Sequence, residues 1–407
     1  MSKREIRVAL VGAGMAGRAH AYGYRNIEST FYPFPATVRL VAVADAYEPL
    51  ARQTAERFGF ERVEPSWQAI AQAKDIDAVS VALPNYEHRS VVEVLIAAGK
   101  HVLCEKPLAP TAQDSWALLS AARRAGIIHA VGFNLRRSSA IAAVAQQAQA
   151  GALGELRYFS GNYYADYALD PQGPYSWRYN RAQAGGGALV DLGAHIIDVS
   201  RFIMGDIATI AGGVTTTAIK ARPVPAGITV GHEKAQVTNE RREVDTDDFA
   251  TASVEFANGA AGQISVSRMG TGFRNAVRFT VIGSEASAEF DFERAAEFAY
   301  FDSRNDNAFN GFRRVVTGPE HPYFKQVIAM PVSGVGTGLN ETFIGQAYEF
   351  VMALVEGRPV KGASFEDGYA NALICEAIAR SAETGARVSI KDVASQVENS
   401  VTTPRGR

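Results

Sequence analysis

Cysteine is nearly absent from this 407-residue sequence, with Cys104 and Cys375 the only two. Two thiols so far apart make neither a disulfide framework nor a paired-cysteine metal site, and a reducing, cytoplasmic setting is the simplest expectation. Also missing is any run approaching the ~18 apolar residues of a membrane span. Residues 1–5 lack the apolar stretch of a signal peptide. Charge of one sign is lacking too: 41 Lys and Arg stand against 43 Asp and Glu, a formal net charge of −2. Neither nucleic acid nor an anionic membrane is therefore an expected partner. No internal repeat or low-complexity tract interrupts the chain. A soluble chain of this length buries roughly 75% of its unfolded surface, and its length suggests two domains.

What the sequence does hold is a change of rhythm partway along. In the first third, short β-branched runs (6–11, 38–44, 77–82, 101–104, 127–131) alternate with helical patterns (15–26, 49–58, 87–98, 112–125). That alternation predicts βαβ units and a doubly wound, Rossmann-like parallel sheet, an α/β fold. Beyond Gly151 period-two runs take over: 155–164, then 249–256 and 260–267 around Asn258-Gly259, then 276–282 and 286–292 around Gly283-Ser284. Asn-Gly accepts the positive φ of a tight hairpin, so an antiparallel, α+β second half is expected. Residues 232–248 read as a charged connection and 302–340 as a surface excursion, with two helices, 341–355 and 365–384, closing the chain. The expected domains are 1–135, which binds a dinucleotide, and 136–407, which carries substrate and oligomer contacts and whose last helices are free to pack back on the first domain.

Gly12-Ala13-Gly14-Met15-Ala16-Gly17 follows the first strand. In a G-x-G-x-x-G the first glycine turns tightly, the second lets backbone approach a pyrophosphate, and the third lets helix pack on strand. The helix N-terminus then favours the phosphates. The second strand ends in Asp45, where a carboxylate accepts from ribose hydroxyls and repels a 2′-phosphate, favouring NAD over NADP. A helix N-cap is the other reading of Asp45. The connection before that strand is longer than the usual ~20 residues. Its Phe31-Tyr32-Pro33-Phe34-Pro35 either walls a ligand cleft or packs the loop.

Two more strand ends carry polar residues, Leu83-Pro84-Asn85-Tyr86-Glu87-His88 and Glu105-Lys106-Pro107. Ligands bind at the carboxyl ends of such strands. An ammonium at Lys106 favours a developing alkoxide, although a lone lysine beside a turn proline is by default a surface residue. In the second half, Gly185-Gly186-Gly187 leads into a helical pattern with Leu192, Ile196, Val199 and Ile203 on one stripe. Asp191, His195 and Asp198 fall on the adjacent stripe. Histidine can take an alcohol proton near neutral pH, and Asp198 is placed to orient it. A solvated helix face would show the same residues. A metal site needs a third ligand that the sequence does not offer, so no metal is expected.

With those residues in view, the chain resembles the Gfo/Idh/MocA family, the glucose–fructose oxidoreductase and inositol dehydrogenase group. The resemblance rests on Gly12, Gly14 and Gly17 with His20, Pro84-Asn85-x-x-His88, Glu105-Lys106-Pro107, Gly132-Phe133-Asn134, Trp177-Arg178 and the stretch from Gly185 to Asp198, in that order over nearly the whole chain. It implies a second domain with a large, mostly antiparallel sheet, NAD(P), a sugar or cyclitol substrate, and homodimers or homotetramers formed through the open sheet face. It implies a catalytic triad in which Lys106 bridges cofactor and substrate, His195 is the general base and Asp191 binds hydroxyls and tunes it. Cofactor contacts are expected from the glycine turn (Gly12, Gly14, Met15, Ala16, Gly17), Asp45, Leu83, Pro84, Asn85, His88, Glu105, Lys106, Asn134, Trp177 and Arg178. Substrate contacts are expected from Lys106, Arg136, Tyr163, Arg178, Asp191 and His195, with Arg137 and Trp177 as further candidates. The departures, a longer connection before the second strand and the 302–340 excursion, bear on which sugar is used.

The expected function is hydride transfer between nicotinamide and a secondary hydroxyl of a sugar, sugar derivative or cyclitol. Two other functions use the same residues. Some members of this family cleave glycosides by transient ring oxidation, elimination, hydration and re-reduction, and clustered arginines would then hold a sulfonated or uronic sugar. A non-catalytic NAD-binding protein is the third, and it would not need Lys106, Asp191 and His195 together.

Overall fold

The computed structural model describes residues 3–227, 236–305 and 308–402. Its first sheet is built from β1 (Arg4–Val11), β2 (Ala36–Ala44), β3 (Arg62–Val63), β4 (Ala78–Val81), β5 (His101–Cys104) and β6 (His129–Val131), in the order β3-β2-β1-β4-β5-β6. Every pairing is parallel. Val8, Ala9, Leu10 and Val11 are all buried, the continuous apolar run expected of a strand covered on both faces. The order reverses at β1 and β4, so the crevice at their carboxyl ends is where ligands bind in such sheets.

The second sheet has nine strands: β7 (Leu156–Ala165), β8 (Ile207–Thr216), β11 (Phe249–Phe256), β12 (Ala261–Ser267), β13 (Asn275–Gly283), β14 (Ala286–Asp291), β15 (Glu297–Asp302), β16 (Arg313–Val316) and β17 (Val388–Ser389). Strands β9 (Ala221–Pro225) and β10 (Val237–Glu243) form a separate antiparallel ribbon. The large sheet runs β16-β15-β14-β13-β7-β12-β11-β8-β17, antiparallel except where β7 meets β12. Helices Ser139–Gln149, Ala194–Met204 and Phe365–Thr384 pack on it, around Phe159, Phe256 and Phe279, whose rings stack or meet edge-on. Helix Leu339–Glu356 instead returns to the first sheet's helix Met15–Thr30. The crossing is close: a Cβ on Gly23 would stand 2.5 Å from the Phe343 carbonyl oxygen.

Several segments differ from expectation. The 232–248 connection contains the strand Val237–Glu243, whose residues are all exposed, so no alternation marks it; 232–235 lie outside the described residues. The 302–340 excursion carries the edge strand Arg313–Val316 and the short helix Phe324–Val327. A third closing helix, Ile390–Thr402, follows the two expected. The long connection before β2 is mostly helix, since Met15–Thr30 runs further than expected. Two of its aromatics pack, with Phe34 buried and Phe31 stacked on Tyr348 at 3.7 Å between ring centroids, while Tyr32 is exposed.

Candidate active site

The glycine turn sits at the end of β1. A Cβ on Gly12, whose φ is 92°, would meet the Ala82 carbonyl oxygen at 2.3 Å, and one on Gly17 would stand 1.9 Å from the Gly12 oxygen. Over Gly14 nothing lies within 4 Å. The two outer glycines are therefore required by close packing, while the middle one faces open space. Gly14 is also the N-cap of helix Met15–Thr30 and gives it no side-chain cap, which leaves first-turn N–H groups available to an anion. A dinucleotide pyrophosphate fits that cradle. Asp45 braces it from below: Oδ2 accepts from the Ala13 N–H at 2.7 Å and Oδ1 from the Tyr47 N–H at 2.8 Å. The N-cap of the following helix is Tyr47, not Asp45. A carboxylate has lone pairs beyond these two bonds, which a ribose hydroxyl can use.

Across the crevice, Lys106 leaves the end of β5 and reaches the second half of the chain. Its Nζ donates to Asp191 Oδ1 at 2.8 Å and to the Asp191 carbonyl at 2.9 Å. Tyr167 donates its hydroxyl to Asp191 Oδ2 at 2.7 Å, so both carboxylate oxygens are held. Burial works to raise the Asp191 pKa, but the charges of Lys106 and Arg178 and the bonds from Lys106 and Tyr167 hold it well below the usual carboxylate range. Asp191 lies on a π-helical turn, Leu189–Gly193, that runs into helix Ala194–Met204. Such turns recur at functional sites. His195 begins the next turn, with Tyr163 at 5.8 Å and Phe133 at 6.4 Å between ring centroids. Burial and then the Lys106 charge push its pKa down to about 3, against the opposing charges of Glu105 and Asp191. Its Nδ1 is buried without a hydrogen-bond partner among the described residues.

The structure brings Lys106, Asp191, His195, Tyr163 and Arg178 to one place. Arg178 stacks on Trp177 at 4.4 Å, and its charge reaches Asp191. Other expected contacts are engaged inside the fold. Asn85 donates to the Ala184 carbonyl at 2.8 Å, and Asn134 to Thr342 Oγ1 at 2.7 Å. Both ring nitrogens of His88 face carbonyls, Leu83 and Pro107, at 2.9 Å. Arg136 pairs with Asp198 at 2.6 Å and Asp367 at 2.8 Å. Asp198 is thereby tied to an arginine and does not orient His195, contrary to the helix-stripe expectation. Arg137 donates to the Tyr323 hydroxyl. Glu105 takes His20 at 2.8 Å.

Some participants carry no sequence signal. Tyr167 lies in an irregular stretch, and no period or spacing ties it to Asp191. Asp247 accepts from the Gly187 and Leu189 N–H groups at 2.7 and 2.8 Å, anchoring the start of the π-helical turn. The segment around it read only as a charged connection. Asn371 donates to the Ala194 carbonyl at 2.8 Å from behind. A cavity of about 600 Å³ lies on that rear side, between Leu189, Val190, Asp247 and Cys375, and neither Lys106 nor His195 lines it.

Comparison with known proteins bears on the family and the fold. Residues 6–133 match the model of an oxidoreductase family with an NAD-binding Rossmann fold, and residues 141–289 match the GFO/IDH/MocA C-terminal domain. The chain is 36% identical over 394 residues to levoglucosan dehydrogenase of Pseudarthrobacter phenanthrenivorans, covering 96% of this chain and 99% of that protein. It is 27% identical over 389 residues to inositol 2-dehydrogenase of Rhizobium meliloti, covering 95% and 99%. A solved structure of levoglucosan dehydrogenase in complex with NADH and L-sorbose superposes with a TM-score of 0.89 over 95% of this chain and 99% of that one, at 36% identity.

Proposed function

The chain belongs to the Gfo/Idh/MocA oxidoreductases, and from that membership we propose that it is an NAD-dependent dehydrogenase acting on a secondary hydroxyl of a sugar or cyclitol. The observation that carries this reading is the hydrogen bond from Lys106 to Asp191, made beside His195 at the carboxyl edge of the parallel sheet. The glycine turn would hold the pyrophosphate of NAD and Asp45 its adenosine ribose, and the cofactor would supply the hydride acceptor. His195 is neutral at ordinary pH because burial and the Lys106 charge disfavour its protonated form, so it is ready to take the hydroxyl proton. The Lys106 ammonium donates to the same oxygen and stabilises the charge left there. Asp191 holds that ammonium and keeps lone pairs for a neighbouring hydroxyl. Arg178 and Tyr163 line the substrate side.

The negative charge of Asp45 supports NAD over NADP. Two buried free cysteines support a reducing compartment such as the cytoplasm. The resemblance supports a homodimer or homotetramer built on the open face of the nine-stranded sheet. The test is a panel of free sugars, cyclitols and aryl glycosides assayed with NAD for both NADH and released phenol. NADH accumulating with turnover is expected. Phenol release without NADH would overturn the dehydrogenase reading in favour of redox-neutral glycoside cleavage.

A further inference from the structure

A chain of buried polar groups runs through the Rossmann half and ends at the catalytic turn. The Tyr24 hydroxyl lies 2.9 Å from Ser80 Oγ, and that oxygen lies 3.2 Å from His20 Nδ1. His20 Nε2 lies 2.8 Å from Glu105 Oε1, and the Lys106 backbone N–H donates to Glu105 Oε2 at 3.0 Å. His20, Ser80 and Glu105 are all buried. One proton assignment satisfies every member: Tyr24 donates to Ser80, Ser80 to His20 Nδ1, and His20 Nε2–H to the carboxylate. The carboxylate is also boxed in sterically. A Cβ on Gly132 would stand 2.6 Å from Glu105 Oε1 and 3.1 Å from Oε2, so glycine there lets the carboxylate lie against the backbone. A buried carboxylate is costly unless bonded and countered by charge. This one has two hydrogen bonds and, one residue on, the ammonium of Lys106.

We propose that Glu105 is a positioning residue of the hydride-transfer site, its carboxylate clamped by His20 and the Lys106 backbone so as to fix the Lys106 turn and place a permanent negative charge behind it. The inference rests on the dehydrogenase reading above. It moves Glu105 from the cofactor contacts, where the sequence placed it, to the frame that holds the lysine. The charge has a direction. Burial alone would raise the Glu105 pKa, but the His20 hydrogen bond and the Lys106 charge help to bring it below the ordinary value, keeping it ionised. In turn its charge favours the protonated form of His195, opposing burial and Lys106. The titratable groups facing it are His20 from the first helix, Cys104 and Lys106 from its own strand end, His88 from the helix after β4, and His195 from the second half. Without Glu105, the Lys106 ammonium would have Asp191 as its near counter-charge, and the proton acceptor would be weaker.

The experiment compares wild type with Glu105→Gln, which keeps shape and loses charge, and with Gly132→Ala, which keeps the charge and displaces the carboxylate. Steady-state kcat and KM for the best sugar, the Kd for NAD and the thermal midpoint are measured for each. We expect kcat to fall at least about tenfold in both variants, with the NAD Kd within about threefold of wild type. A Glu105→Gln enzyme with wild-type kcat overturns the proposal, as does one whose loss is confined to NAD affinity, because Glu105 would then be a cofactor ligand. If Glu105→Gln does not fold, Gly132→Ala decides alone by the same criteria. A wild-type enzyme that turns over no sugar with NAD would instead sink the functional reading.

Discussion

Lys106 and Asp191 are 85 residues apart in the chain and 2.8 Å apart in space. The bond joins the end of a parallel strand in the first half to a π-helical turn in the second, and it is the place where the two halves share one chemistry. Its strength comes from a half-buried ammonium meeting a carboxylate that Tyr167 holds from the other side. Replacing Lys106 with Met keeps the aliphatic stem and removes the charge. Turnover should fall about a thousandfold, the scale for losing a donor aimed at a developing negative charge. NAD binding, followed by titration of the protein, should survive. A Lys106→Met enzyme with substantial activity would mean that the ammonium is structural.

Tyr167→Phe removes a single hydroxyl and keeps the ring. Asp191 Oδ2 then loses its donor, and the carboxylate is free to rotate away from Lys106. A hydrogen bond to a charged group contributes ~1.5–3 kcal/mol, so kcat/KM should fall roughly tenfold or more with the fold intact. Circular dichroism and steady-state rates on the same preparation check this. Wild-type kinetics would show that Lys106 alone orients the carboxylate.

Much of this site is legible in the sequence because its residues sit on periodic elements. The glycine turn follows an unmistakable strand, Lys106 ends another, and Asp191 and His195 are one helical turn apart. What escapes is contact made across the fold. Asp198 shares the stripe of His195, yet a buried partner, Arg136, sits nearer to it, and spacing along one helix cannot reveal a neighbour from another element. Tyr167, Asp247 and Asn371 come from irregular segments or a distant helix and carry no pattern of their own. The strand Val237–Glu243 escapes for a related reason: exposed along its whole length, it buries no alternating face, so nothing periodic is selected for.

His195 makes stability depend on pH. Its folded-state pKa of about 3 lies below the unfolded value near 6.5. Between those limits the unfolded chain binds a proton that the folded chain does not, so stability falls as pH drops from about 6.5 towards 3. For one histidine this amounts to ~2 kcal/mol on going from neutral pH to pH 5. His88, His101 and His129 are lowered in the same direction, burial being the first cause in each. Urea unfolding at a series of pH values should therefore show a positive slope over this range, reduced by about one proton's worth in His195→Gln. An unchanged slope in that variant would show that His195 titrates normally in the folded protein.

Arg136 is among the expected substrate contacts, and its ion pairs with Asp198 and Asp367 point elsewhere. Removing it leaves Asp198, which is 1% exposed, without its partner, and breaking a buried pair from one side costs ~3–5 kcal/mol. Arg136→Met should lower the thermal midpoint sharply while the sugar KM of the folded fraction stays within about twofold of wild type. Combining it with Asp198→Leu should recover part of the stability. A KM raised more than tenfold with the midpoint unchanged would return Arg136 to the substrate side.

Asp45 has two tasks that mutation can separate. Its Oδ2 braces the glycine turn through the Ala13 N–H, and a carboxylate at the end of the second strand of such a fold repels an NADP 2′-phosphate. Asp45→Ala removes both, so the KM for NAD should rise about tenfold and the preference for NAD over NADP should shrink. Asp45→Asn keeps a carbonyl oxygen for the Ala13 N–H and removes only the charge. If the charge sets cofactor choice, Asn alone should raise NADP use while leaving the KM for NAD closer to wild type. If the brace dominates, Asn should resemble wild type in both. A wild-type enzyme that already prefers NADP would contradict the premise before either variant is made.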